Sequence, residues 1–326
     1  MNRYAAAAAA IVAACLLWGV HRVLFPPEPG AETPSPGLSV ESLARPAGVV
    51  GAAIDVATRG TTWATCWEDG SVTLRFGHEP MRVAPPSAAE GFRRAAVTGD
   101  GRVVAITTRG RLFDVGGAVA IDLHAKVQAG SRLAAASEGN GVVVSGEAGG
   151  VSRYDLAAGT IFDVWESGEP PSTSLFIGKG EVLLGRVEGD VVWGPIGAKE
   201  VPPPIFQLTT RITGLLAYGG WIVAGDATGR VRSQRPRTTP SGASARVDGE
   251  VFAFALPPAD ALGRSDLAPL LVVHAPAAAT LLEGGAYDRR SSVPLGARVR
   301  AGCALDDGQA ILVGTDGGER IVRVRR

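Results

Sequence analysis

The chain has 326 residues, of which 46% are hydrophobic and 6% aromatic, so it can bury a large core and is not intrinsically disordered. Lysine plus arginine equals aspartate plus glutamate at 32 each, so no net field holds a polyanion and we expect no nucleic-acid partner. The basic residues are almost all arginines, and alanine, glycine and proline are abundant, a composition that favours a bacterial source.

Residues 1–25 are predicted to be a membrane anchor. Residues 4–20 form an uncharged, largely apolar run, about the ~20 residues that a membrane-spanning helix needs. A buried soluble helix, a cleaved signal peptide and a lipoprotein with Cys15 lipidated are the alternatives, and the segment ending at Cys15 does resemble a lipobox. However, the residues after Cys15 stay apolar, and the bulky residues 21–25 offer no small-residue cleavage site. We therefore prefer a retained signal anchor.

Residues 26–37 (PPEPGAETPSPG) are predicted to be a semi-rigid linker, because they contain five prolines and no bulky apolar residue. At ~3.1 Å per residue this linker reaches roughly 35 Å. Arg3 favours an amino terminus on the cytoplasmic side, although Arg22 on the other flank weakens that signal. The prediction is a single-pass protein of the cytoplasmic membrane with its folded domain on the extracytoplasmic side.

A glycine then returns about every forty residues, at the same point of a strand, break, strand, turn, strand pattern. These turn glycines are 40, 39, 40 and 40 residues apart: Gly70, Gly110, Gly149, Gly189 and Gly229. Such a period in an all-strand pattern is typical of a β-propeller, in which each repeat is a four-stranded blade with strands a to d. Glycine suits these tight turns because it adopts positive φ at little cost. We interpret the glycines as structural.

Two further blades follow. The 88 residues from Gly229 to Gly317 fit two repeats if the first, degraded one carries about ten extra residues. The chain ends after strand c of blade seven, so residues 38–43 are predicted to supply its missing strand d and close the ring. The predicted fold is therefore an all-β, seven-bladed β-propeller over residues 38–326, preceded by an N-terminal transmembrane helix.

This pattern resembles the WD-repeat-like and quinoprotein-like β-propeller superfamily. The segment that carries the resemblance best is Tyr154-Asp155-Leu156-Ala157-Ala158-Gly159, which is similar to the Asp-x-x-x-Gly linker between the outer strands of such blades. The resemblance implies the fold and a general tendency to bind proteins. It implies no site, because Gly77-His78 does not recur and no strand c ends in Trp-Asp. The eight blades and vicinal disulfide usual in quinoprotein dehydrogenases are also missing.

We assign no catalytic, cofactor or metal residue from the sequence. The four histidines show no pair at ligand spacing: His21, His78, His124 and His274. Three aspartates near strand ends could meet at the mouth of the central channel as acid catalysts: Asp55, Asp100 and Asp226. An aspartate beside a hairpin glycine more often makes local turn hydrogen bonds, so we expect turn roles.

Two further features are structural by expectation. Cys66 and Cys303 lie on blades that neighbour each other in a closed ring, so a disulfide is conceivable, although buried thiols are commoner. The closing strand places Arg323 and Arg325 on one face, which we interpret as a solvated face rather than a polyanion site.

The leading hypothesis is a membrane-tethered interaction or scaffold module whose partner is another protein. A propeller hydrolase or lyase, or a sensor that binds a small ligand at the channel mouth, remains the alternative. Two insertions break the 40-residue phase, at residues 233–247 between strands c and d of blade five and at residues 257–266 between strands a and b of blade six. Long loops on a rigid scaffold often carry binding, so we predict partner contacts there.

Overall fold

The computed structural model describes residues 37–325 except for 77–78, 129–130, 136–140, 147–149, 167–170, 178–180, 196–199, 201, 237–241, 257–267, 285 and 306–309. The chain divides into two compact units, Met1–Gly37 with Arg326 and Leu38–Arg325. The anchor predicted at residues 1–25 lies outside the described residues. Among the residues that are described, no helix is long and apolar enough to cross a membrane.

The described part of the chain contains 28 β-strands in seven four-stranded sheets, which confirms the all-β, seven-bladed propeller. Blade one contains β2 (Ala53–Arg59), β3 (Thr62–Trp67), β4 (Val72–Phe76) and β5 (Pro80–Val83). Blade two contains β6 (Phe92–Val97), β7 (Val103–Thr107), β8 (Arg111–Asp114) and β9 (Ile121–Lys126). Blade three contains β10 (Arg132–Ala135), β11 (Gly141–Ser145), β12 (Gly150–Asp155) and β13 (Thr160–Glu166).

The remaining blades repeat this order. Blade four contains β14 (Pro171–Ile177), β15 (Glu181–Arg186), β16 (Asp190–Pro195) and β17 (Pro204–Gln207). Blade five contains β18 (Ile212–Tyr218), β19 (Trp221–Asp226), β20 (Arg230–Gln234) and β21 (Ala243–Arg246). Blade six contains β22 (Val251–Ala255), β23 (Leu270–His274), β24 (Ala278–Glu283) and β25 (Arg289–Pro294). Blade seven contains β26 (Val299–Ala304), β27 (Ala310–Thr315), β28 (Gly318–Arg325) and β1 (Gly37–Ser42).

The seven sheets form a closed ring. Each strand a contacts the strand a of the next blade, and β26 of blade seven contacts β2 of blade one. Because neighbouring strands are antiparallel, the b–c turns and d–a connections emerge on one face of the ring. The a–b and c–d connections emerge on the other. We call the first the glycine face and the second the loop face.

Blade seven is completed by the amino-terminal strand. β1 is the outer strand of that sheet and pairs with β28, as expected for residues 38–43. The Ser39 hydroxyl donates to the carbonyl of Arg323 at 3.5 Å, and the Leu43 N–H donates to the carbonyl of Glu319 at 3.1 Å. The two strands are therefore antiparallel, and β1 begins at the loop face.

The recurring glycines have two physical reasons. Four of the five, Gly70, Gly110, Gly189 and Gly229, have φ between 78° and 97°, and Gly149 lies outside the described residues. Space is also limiting, since a Cβ on Gly229 would lie 2.2 Å from the carbonyl oxygen of Val247 at the end of strand d. Gly70, Gly189 and Gly229 are therefore structural, because both backbone conformation and packing disfavour a side chain, and Gly110 has the same positive φ.

The hydrophobic core is divided into layers between blades. Clusters of buried apolar residues fill the junctions of blades one and two, two and three, four and five, five and six, six and seven, and seven and one. Blades one, two, five, six and seven thus bury both faces of their sheets against their neighbours, as far as the described residues show. The turns and strand ends at the two faces are left to carry contacts with other molecules.

Candidate functional site

A pocket of about 300 Å³ lies between blades two and three at the glycine face, where the a strands of both blades begin. Its lining comes from the start of β6, the end of β7 with the following turn, and the start of β10: Arg93, Arg94, Ile106, Thr107, Thr108, Ser131 and Arg132. Its lining includes three guanidinium groups and three hydroxyl groups, together with the apolar side chain of Ile106.

A β-bulge helps to aim two arginines into this pocket. In six blades the described a–b register shifts near the start of strand a, and in blade two the shift falls between Phe92 and Arg94. A bulge inserts one extra residue and redirects the side chains around it. Both Arg93 and Arg94 consequently line the pocket.

One pocket arginine has a carboxylate partner in blade one. Asp55 on β2 accepts a hydrogen bond from Arg94 Nη1 at 3.1 Å and from the backbone N–H of Ala95 at 2.9 Å. This aspartate therefore connects the inner strands of blades one and two. Its role is an inter-blade contact, which differs from the turn role that the sequence suggested.

A second carboxylate near the pocket, that of Glu90, is paired with an arginine that does not line the pocket. Glu90 is buried; Thr107 Oγ1 donates to its Oε1 at 2.5 Å, and Arg111 Nη1 donates to its Oε2 at 3.0 Å. The hydrogen bond from Thr107, together with Arg111, holds the pKa of Glu90 below its usual range although burial opposes this. Glu90 is thus a carboxylate whose partner is Arg111, which also pairs with Asp122.

The other two candidate aspartates have the turn roles expected from the sequence. Asp100 accepts from the hydroxyl of Thr98 in the a–b turn of blade two, at the loop face. Asp226 is fully buried at the end of β19 on the glycine face, and its Oδ1 accepts the N–H groups of Thr228 at 2.8 Å and Arg230 at 2.9 Å. Asp55, Asp100 and Asp226 therefore lie in three separate places and do not converge.

His274 is a core residue. Its Nδ1 lies 2.9 Å from the carbonyl oxygen of Ala275, which can only accept, so Nδ1 carries the proton. Nε2 then accepts from the hydroxyl of Thr280 at 2.8 Å, and Ser292 donates to Thr280 at 2.9 Å. Burial lowers the pKa of His274, which keeps the ring neutral. The structure therefore assigns this histidine to a hydrogen-bond chain across three strands of blade six.

The remaining titratable candidates form no site. His124 lies on β9, whereas His21 and His78 are outside the described residues. Within the described ranges, no group of three or more histidine, cysteine, aspartate or glutamate side chains could hold a metal ion. Cys66 and Cys303 are thiols and are not joined by a disulfide. Burial, with a contribution from Asp55, raises the pKa of the Cys66 thiol well above its usual value.

The loop face carries exposed apolar side chains on three consecutive blades. They lie in a c–d connection or within three residues of one, and their exposed fractions are 48% for Phe76, 76% for Val119, 64% for Ile121, 38% for Ile161 and 55% for Phe162. We call these five residues the apolar rim. Ile161 and Phe162 are consecutive on β13 and so point to opposite sides of that strand, but all five residues lie toward the end of the ring where the c–d connections emerge. Several exposed large apolar groups in one region favour a contact surface there.

The two insertions also open onto the loop face. The first connection runs from Gln234 to Ala243, so strand d, Ala243–Arg246, falls inside the stretch 233–247 that was expected to be loop. The second runs from Ala255 to Leu270, and its residues 257–267 are not described. Beside the first connection, the guanidinium of Arg235 lies 4.8 Å from the ring centre of Trp221.

Two further predictions from the sequence, on the Asp-x-x-x-Gly segment and on the closing strand, fall on described residues. Asp155 Oδ1 accepts the N–H groups of Ala157 at 2.9 Å and Ala158 at 3.1 Å, and Gly159 has φ 66°, so the Asp-x-x-x-Gly segment is the c–d turn of blade three. At the end of β28, Arg323 and Arg325 are exposed and Val322 is buried. That alternation confirms the predicted solvated face.

Comparison with solved structures supports the fold. The WD40 β-propeller domain of Doa1 superposes with a TM-score of 0.70 at 10% identity, covering 89% of this chain and 98% of that chain. A chain of the mitotic checkpoint complex gives a TM-score of 0.70 at 11% identity, covering 88% and 95%. No protein-family model and no curated protein matches the sequence. The chain is thus a WD-repeat-like β-propeller in fold, and identities this low carry no site.

Proposed function

We propose that this protein is a membrane-tethered β-propeller that acts as an interaction or scaffold module for another protein. The apolar rim carries the proposal. Five of the seven large apolar side chains that are exposed among the described residues belong to it, and only Val50 and Val187 lie on the glycine face. A partner that covers the rim would remove this apolar surface from water, at roughly 25 cal/mol per Å².

The proposed tether fits the same face. β1 begins at the loop face, so a linker at residues 26–37 would join the ring there, on the face where the long connections of blades five and six also emerge. An anchor at residues 1–25 with such a linker would keep the folded domain within roughly 35 Å of the membrane surface. A partner embedded in or attached to that membrane would then be within reach of the domain.

Affinity capture of the full-length protein from its own membranes tests the interaction. The variant Ile121→Glu with Phe162→Glu places two charges on the apolar rim and should reduce recovery of the partner about tenfold or more, because charges replace buried apolar contacts. Val50→Glu with Val187→Glu makes the same change on the glycine face and should leave capture intact. Equal recovery with both variants, or equal loss, contradicts a partner on the rim.

The long loops have their own test. Shortening both connections, 235–242 and 256–269, to two-residue turns should leave the melting temperature nearly unchanged and remove capture if the loops hold the partner. Capture that survives both deletions would restrict the contact to the rim or move it to the opposite face.

Extraction of membranes with alkaline carbonate tests the tether. A retained helix at residues 1–25 predicts that the protein stays in the membrane pellet and that Cys15→Ser changes nothing. Release by carbonate would indicate a peripheral protein, and loss of anchoring in Cys15→Ser would indicate a lipoprotein.

A further inference from the structure

The outer edge of blade three lacks the protection that most of the other outer edges carry. Proteins protect open sheet edges with charged side chains, especially lysine, and with proline. Five of the seven outer strands contain proline, lysine or arginine: Pro80 and Arg82 in β5, Lys126 in β9, Pro204 in β17, Arg246 in β21, and Arg290 and Pro294 in β25. β1 and β13 contain none of these, but β1 packs Leu38 and Val40 against the core. β13 instead exposes Ile161 and Phe162.

These two exposed residues lie on opposite sides of the blade. Residues directly opposite each other on paired strands share a side of the sheet. Ile161 is opposite Tyr154, which packs in the core between blades two and three, so Ile161 lies on the side of blade two. Phe162 is opposite Arg153 and therefore lies on the side of blade four. A surface pressed against either side would cover one residue and leave the other exposed, whereas an occupant in line with the sheet reaches both.

The backbone of β13 is regular at this point. Residues 160–163 pair with β12 in continuous register, and the β-bulge of this pair of strands falls beyond them, between Val151 and Ser152. β13 is the last strand of its sheet. Alternate residues of such a strand direct both their N–H and their C=O groups away from the neighbouring strand. The edge therefore offers backbone hydrogen bonds and apolar side chains at the same place.

From this arrangement we propose that an extended segment of the partner protein adds to blade three as a fifth strand beside β13. The proposal rests on the interaction function proposed above and specifies how the partner binds. In strand addition, backbone hydrogen bonds supply affinity and side chains supply specificity. The added segment needs large apolar side chains at two consecutive positions, because one lies opposite Ile161 and the next lies opposite Phe162, on the other side of the sheet.

Hydrogen–deuterium exchange of the captured complex tests the backbone pairing. The outward amide groups within residues 160–163 should exchange at least about tenfold more slowly in the complex than in the protein alone, because they become hydrogen-bonded. Unchanged exchange of these amides with the partner bound overturns strand addition and leaves the proposed interaction function standing. If the wild type captures no partner, both proposals fail.

Proline variants separate the backbone contribution from that of the side chains. Of Ile161→Pro and Phe162→Pro, one removes an N–H group that pairs with β12 and should lower the melting temperature, whereas the other removes an outward N–H group and should not. The second variant should reduce capture about fivefold or more relative to alanine at the same position, which keeps the N–H group. Equal recovery with proline and alanine overturns the proposal.

Sedimentation of the protein alone examines a competing occupant of the same edge. The proposal expects the wild type and the proline variant with the unchanged melting temperature to have the same oligomeric state. A wild-type dimer that becomes monomeric in this variant assigns the edge to a second copy of the chain and overturns a strand from another protein.

Discussion

The junction of blades seven and one and the junction of blades two and three use the same residue types in opposite ways. At the first, Glu319 of β28 accepts from Arg75 Nη2 at 2.9 Å and from the hydroxyl of Thr65, and the side chains of the ion pair are 10% and 1% exposed. At the second, Arg93, Arg94 and Arg132 line an open pocket. One junction is a buried ion pair, which we call the clamp, and the other is an open pocket lined by arginines.

The difference shows what decides whether an arginine is structural. In the clamp each charge has a partner, and Arg75 also donates to the carbonyl of Ala44 at 2.9 Å, in the segment that follows β1. Burial of the pair is tolerable because attraction and hydrogen bonds offset the cost of desolvation. In the pocket, Arg94 pairs with Asp55 at 3.1 Å with both side chains part-exposed, and Arg93 is exposed to solvent, so these charges keep much of their hydration.

Removing β1 should have the largest effect on the stability of the closed ring. Deletion of residues 1–48 leaves β28 as an open edge and removes Ala44, Leu38 and Val40, the last two of which pack against the core of blades six and seven. We expect a loss of several kcal/mol and a melting temperature lower by about 10 °C or more. Deletion of residues 1–33 keeps β1 and is the control. Equal melting temperatures of the two truncations would contradict closure through β1.

Breaking the Arg75–Glu319 ion pair by a single substitution should have the second-largest effect on stability. Glu319→Ala leaves Arg75 buried without its carboxylate and should lower the free energy of unfolding by about 3–5 kcal/mol, measured by urea denaturation. Glu319→Gln keeps an acceptor for Thr65 and should cost less. Asp316→Ala removes the exposed pair with Arg300 and should cost at most about 1 kcal/mol. A loss for Glu319→Ala as small as for Asp316→Ala would show that the clamp does not hold the ring closed.

The buried carboxylate beneath the pocket predicts a pH dependence. The pKa of Glu90 is lower in the folded protein than in the unfolded chain, so the ionised carboxylate stabilises the fold. This contribution to the free energy of unfolding is fully present above the unfolded pKa of about 4.3 and is lost as the pH falls through the folded pKa. Compared with Glu90→Gln, the wild type should be more stable at pH 7, and this advantage should shrink below about pH 4.3. Urea denaturation of both proteins at several pH values measures this difference in the free energy of unfolding. A difference that does not change with pH would contradict a stabilising role of the ionised carboxylate.

Adding a carboxylate to the pocket should have the smallest effect on stability. Thr108→Glu supplies a carboxylate beside the exposed Arg93 and should raise the free energy of unfolding by at most about 0.5 kcal/mol, measured by urea denaturation. Val187→Glu makes the same change at the corresponding turn position of blade four and should leave the free energy of unfolding unchanged. A gain of the same size in both variants would contradict an interaction with Arg93.

The repeat could be predicted from the sequence because hairpin turns require particular residues, such as glycine, at fixed positions. The spacing of the turn glycines, together with the 88 residues from Gly229 to Gly317, predicted seven blades in chain order. Gly70, Gly110, Gly189 and Gly229 have the positive φ that such turns require. The position of the closing strand followed from counting strands, since the last blade lacked one. Turn aspartates such as Asp100 and Asp226 were also predictable, because their partners lie within a few residues of them.

Contacts between residues that are far apart in the sequence could not be predicted. Arg75 and Glu319 are 244 residues apart, and Asp55 and Arg94 are 39 apart, on strands whose alternation gives no sign of a pair. The β-bulge that turns Arg93 toward the pocket depends on the register of two paired strands, which no local pattern encodes. Periodicity and turn chemistry in the sequence therefore determined the ring and its closure. The clamp and the arginine pocket were decided only by the tertiary structure, because each is assembled from blades that meet only there.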